Sequence, residues 1–112
     1  MNEQTLEIKE EKITSGYRKF LNEVREAFNR HCDDIKAEAT RKLENISEND
    51  KEARQEVLDE QNTQLDKTLG ELKQLLAKRE AQVRVQLEKI TNIREQEEFS
   101  LDDELAQVEE AA

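Results

Sequence analysis

The sequence predicts an all-α protein: an elongated antiparallel helical hairpin, or coiled coil, that pairs with a second hairpin to form a four-helix bundle. Three observations predict it. Apolar residues recur at steps of three and four over most of the chain. There is no proline, and there are only two glycines in 112 residues. One short polar run, at 45–50, interrupts an otherwise continuous pattern.

The first helix is expected over about 3–45. Its stripe reads Ile13, Tyr17, Phe20/Leu21, Val24, Phe28, Cys32, Ile35, Ala39, Leu43 and Ile46. Steps of three and four hold these side chains on one helix face. Asn45-Ile46-Ser47-Glu48-Asn49-Asp50 then gathers side chains that compete with the helix for backbone hydrogen bonds, so a turn is expected at about 46–49. Ser47 or Asn49 is the expected cap of the second helix. Asn49 with Glu52 has capping-box spacing, although asparagine replaces the usual Ser or Thr.

The second helix is expected over about 50–97. Its stripe reads Ala53, Val57, Gln61, Leu65, Leu69, Leu72, Leu76, Arg79, Val83, Leu87 and Ile90. Folding the chain at residue 48 brings the two stripes face to face: Ile35 meets Gln61, Phe28 meets Thr68, Val24 meets Leu72 and Ile13 meets Val83. The competing arrangement is one unbroken helix in a parallel dimer, since the polar run contains neither Gly nor Pro. Gly16 and Gly70 lie inside the helices, where each costs about 1 kcal/mol relative to alanine. Gly70 suggests either a tolerated weak point or the close approach of another helix.

Helix 2 has more apolar surface than one facing helix covers. Leu58 beside Val57, Leu75 beside Leu76, and Val85 between Val83 and Leu87 widen its stripe, and they are the expected partner-binding residues. The last part of the chain, 98–112, reads as a separate acidic amphipathic segment. Ser100 before Leu-Asp-Asp-Glu has the form of a helix start. Phe99, Leu101, Leu105 and Val108 then supply an apolar edge that could lie in a partner's groove or on the chain's own bundle.

With 41% charged and 34% hydrophobic residues, the chain is too polar for a round core but suits narrow helix–helix seams. Its net charge of −10 is unevenly spread: residues 1–30 are neutral, 31–60 carry −5, 61–90 carry +2 and 91–112 carry −7. No basic cluster suits nucleic acid or an anionic lipid surface, and direct membrane insertion is not expected. Residues 1–12 are charged throughout and lack the apolar core of a signal peptide. A single cysteine and an acidic helical composition suit the reducing cytoplasm.

Catalytic chemistry is not expected. His31-Cys32-Asp33-Asp34 is the only cluster resembling a metal or nucleophile site, but neighbouring helical residues point about 100° apart and cannot converge. The residue three before His31 is Phe28, so the Glu-x-x-His of di-iron bundles is missing. Cys32 reads as a small seam residue with His31 at its edge. No cofactor, metal or small-molecule substrate is expected. The expected role is a non-enzymatic interaction module: a coiled-coil scaffold, adaptor, small chaperone or assembly subunit, self-associating as a homodimer or binding a helical partner. The alternative is an acidic regulator or inhibitor that occupies a basic surface.

Overall fold

The computed structural model describes the backbone of residues 2–111 and the side chains of residues 2–97. It contains two helices, α1 (Glu3–Glu44, 42 residues) and α2 (Lys51–Ala111, 61 residues), and no strand among the described residues. The chain divides into two compact units: Lys19–Lys78, which contains the turn, and Met1–Arg18 with Arg79–Ala112. In both units an α1 segment runs antiparallel to an α2 segment, as expected of a helical hairpin.

Each helix start is set by a side chain. Asn2 caps α1: its Oδ1 accepts from the Thr5 backbone N–H at 2.8 Å and from the Thr5 hydroxyl at 2.9 Å. Asp50 caps α2, its Oδ1 accepting from the Ala53 backbone N–H at 3.1 Å. This corrects the expectation of Ser47 or Asn49 in that role. Ser47 instead shapes the connection: its Oγ accepts from Asn49 N–H at 3.3 Å and its carbonyl from Asp50 N–H at 3.1 Å. An aspartate also suits the positive end of the helix dipole better than a neutral cap.

The end of α1 is closed without glycine. Asn45 and Ile46 N–H donate to the carbonyls of Lys42 and Leu43, both at 3.2 Å, tightening the last turn. Arg54, from the first turns of α2, donates Nη1 to the Leu43 carbonyl at 3.1 Å and to the Ile46 carbonyl at 3.3 Å. It serves as a clasp between the helices, while Asp50, four residues before it, is engaged as the cap. No described residue outside glycine takes a positive φ, and neither glycine does.

In the Lys19–Lys78 unit the buried apolar residues are Ile35 and Ala39, both on α1. Around them Phe20, Leu21, Val24, Phe28, Cys32 and Leu43 of α1 are half-buried, as are Val57, Gln61, Leu65, Thr68, Leu72 and Leu76 of α2. Phe28 and Thr68, which the fold about residue 48 places opposite one another, are both half-buried. Leu69, placed in the seam by its spacing, is 40% exposed. Thr68 takes the inward position because the step from Leu65 is three rather than four. Lys42 Nζ reaches Glu60 Oε2 across the helices at 3.5 Å, while Glu38 pairs with Arg41 at 3.2 Å rather than with Lys42. In the other unit Glu80 pairs with Arg84 one turn on, at 2.9 Å.

In the Met1–Arg18 and Arg79–Ala112 unit, Leu6, Val83 and Ile90 are buried, and Leu6 has no exposed surface. Leu6 extends the α1 stripe one heptad before Ile13, and the fold about residue 48 sets it opposite Ile90. The backbone of α2 is helical through Ser100 to Ala111, so it carries no fresh helix start at Ser100. The side chains of Phe99, Leu101, Leu105 and Val108 lie outside the described residues.

A β-carbon added at Gly16 or Gly70 would meet nothing within 4 Å. Close approach within the chain therefore does not explain either glycine. Gly70→Ala should raise the unfolding free energy by about 1 kcal/mol, through helix propensity alone. Thermal melts of the two proteins at matched concentration would show it. A loss of stability would instead reveal a second molecule packed against that point.

Candidate functional site

Helical geometry puts five leucines of the Lys19–Lys78 unit in one row. From Leu58 the steps to Leu65, Leu69, Leu72 and Leu76 are seven, four, three and four. At about 100° per residue, all five fall within about 40° of Leu58 around the α2 axis. None of them is buried. Leu58 and Leu69 are 38% and 40% exposed, and the other three are half-buried. Meanwhile the half-buried positions of α2 include Arg54, Gln61 and Thr68. The apolar row is therefore turned partly away from α1, and polar residues share the contact.

The residues expected to bind a partner are distributed differently from a single stripe. Leu58 belongs to the leucine row. Leu75 is 46% exposed, but lies about 100° around the helix from Leu76, off that row. Val85, in the other unit, is 50% exposed. Leu69 joins the exposed set, although its spacing had assigned it to the seam. Ile8 on α1 is a further exposed apolar residue, at 49%.

The Met1–Arg18 and Arg79–Ala112 unit holds a groove of about 410 Å³ between its helices. Half-buried Ile13 and Ile93 supply its accessible apolar lining over the buried Leu6 and Ile90, and Lys9, Lys12, Lys89 and Gln86 complete it. All three lysines are exposed and no carboxylate lines the groove among the described residues. A stripe that starts at Ile13 does not reveal this groove. With Leu6 in it, Lys9 and Lys12 mark the sequence signal of a basic-edged apolar face.

Charge is handled differently at Arg94 in the same unit. Its guanidinium bridges from α2 to two acids of α1: Nε lies 2.8 Å from Glu3 Oε1, and Nη1 also pairs with Glu10. The hydrogen bonds it donates to Glu3 and then to Glu10 hold its pKa above the ordinary arginine value, so it stays charged at any pH the fold survives. This cross-helix bridge fastens the start of α1 to α2.

The cluster at 31–34 does not converge. His31, Asp33 and Asp34 are exposed and Cys32 is a half-buried free thiol. No group of three or more His, Cys, Asp or Glu side chains among the described residues is placed to hold a metal ion. Among the described residues, no helix is long and apolar enough to cross a membrane. Comparison with family models, with curated proteins and with solved structures finds no match.

Proposed function

We propose that this chain is a non-enzymatic protein–protein interaction module of the cytoplasm, which presents α2 to another helix. The observation that carries this reading is the leucine row of the Lys19–Lys78 unit. Five leucines at helical spacing, none of them buried, leave apolar area that α1 does not cover. Apolar surface aligned along one face, unlike scattered exposed residues, is characteristic of an interface. A second copy could cover it in a four-helix bundle, giving a homodimer, and a foreign helix of a scaffold or assembly complex would use the same face.

Leu58→Glu with Leu69→Glu tests the reading. Both side chains are already exposed in the single chain, so charge there should leave the helices intact. At an interface the two carboxylates would have to be desolvated. The expected outcome is loss of self-association by light scattering, with helical circular dichroism unchanged. Leu75→Glu, off the row, should have a smaller effect. An unchanged assembly mass in the double variant would remove the leucine row from the function.

A further inference from the structure

We propose that the lysine-edged groove of Leu6, Ile13, Ile90 and Ile93 receives the acidic C-terminal segment, 98–112, of a second copy of this chain. This deepens the reading of the chain as an interaction module and rests on it.

The groove presents the half-buried Ile13 and Ile93 above the buried Leu6 and Ile90, with Lys9, Lys12 and Lys89 around them and no carboxylate in its lining among the described residues. It suits a ligand that is both apolar and anionic. The segment 98–112 has that character: six acids, no base, and apolar residues Leu101, Leu105 and Val108 at helical spacing after Phe99. Its backbone is already helical through Ala111, so little ordering is needed for it to dock.

The donor should be another molecule. α2 is unbroken from Lys51 to Ala111, and its residues Gln86, Lys89, Ile90 and Ile93 form one wall of the groove. An unbroken helix carries 98–111 onward along its own axis, past that wall rather than back into it. On the antiparallel register Glu3, the first residue of α1, stands beside Arg94, so 98–111 lie beyond the stretch of α2 that pairs with α1. The nearby cation Arg94 is already balanced by Glu3 and Glu10, which leaves the three lysines to select for acidic partners.

A charge exchange in the full-length protein tests this. One variant reverses the groove (Lys9→Glu, Lys12→Glu, Lys89→Glu), and another reverses the tail (Asp102→Lys, Asp103→Lys, Glu104→Lys). Mass is followed by light scattering at low salt, with circular dichroism as the control for helix content. The wild type should exceed the 13.1 kDa of one chain, and each variant alone should fall toward it. An equimolar mixture of the two should regain the higher mass, as should a chain carrying both sets. Added salt should reverse the gain, because the contact is screened at an exposed edge. A wild type that remains at 13.1 kDa, a reversal that leaves the mass unchanged, or a mixture that does not recover would each overturn the proposal. If the mass falls with Leu58→Glu/Leu69→Glu but not with either reversal, the groove proposal fails and the leucine-row reading stands. Recovery in the mixture, together with no effect of Leu58→Glu/Leu69→Glu, would support the groove and remove the leucine row.

Discussion

Leu6→Ala should lower the unfolding free energy by about 2–5 kcal/mol, the range for removing a leucine from a tightly enclosed site. Leu6 has no exposed surface, and Val83 and Ile90 are the other buried apolar residues of its unit. Truncation would remove the side chain's burial and leave a void beside Ile90. The loss is large against the stability of a chain this size, where 1 kcal/mol moves the melting temperature by about 4–8 °C. Ile8→Ala is the internal control. Ile8 is two residues away and 49% exposed, so its truncation should change stability by less than about 0.5 kcal/mol. Equal shifts in denaturant midpoint for the two variants would show that Leu6 is not the anchor of this unit.

Arg54→Met should cost about 1.5–3 kcal/mol, the range for hydrogen bonds made by a charged group. Methionine keeps the apolar stem and removes only the guanidinium. The Leu43 carbonyl then keeps only the Ile46 N–H, and the Ile46 carbonyl, past the end of α1, loses the Arg54 donor. Arg54→Lys should recover part of the loss, since an ammonium can reach one carbonyl more readily than two. Denaturant unfolding of the three proteins would rank them. A methionine variant as stable as the wild type would mean that water satisfies both carbonyls equally well.

The two helices and the six-residue connection could be read from sequence because both are dense, local signals. The stripe from Ile13 to Leu43 carries a period that only a helix satisfies, and the turn collects five polar side chains in a row of six. Matching the stripes about residue 48 also places Phe28 opposite Thr68, and both are half-buried. What could not be read depends on choices among near-equals. Ser47, Asn49 and Asp50 can all cap a helix, and only the path of the connection decides that Asp50 does. Thr68 and Leu69 lie about 100° apart at a point where the apolar spacing changes step, so hydrophobicity favours Leu69 while packing against α1 selects Thr68. The clasp by Arg54 was hidden because a charged residue at i,i+4 from an acid already had an ordinary explanation.

At the candidate sites the exposure of Leu58, Leu75 and Val85 followed from their places beside the stripe rather than on it. Their failure to share one face follows from the same geometry, since steps of seventeen and ten residues do not return to one side of a helix. The groove needed a second kind of information. Its lysines come from residues 9, 12 and 89, which are joined only by the register of the hairpin.

That register also sets an order of assembly in time. The contact from Arg54 to Leu43 spans 11 residues of sequence, whereas that from Arg94 to Glu3 spans 91. Closing the longer loop first would cost about 2 kcal/mol more in chain entropy. The chain should therefore zip from the turn, with the Arg54 clasp among its earliest contacts and the Arg94 bridge among its last. The end that forms last is also the end that frays most readily, and amide exchange should be fastest there. Leu6 and the lysine-edged groove belong to that late-closing end, so whatever docks in the groove would slow its opening most where the chain itself holds it least.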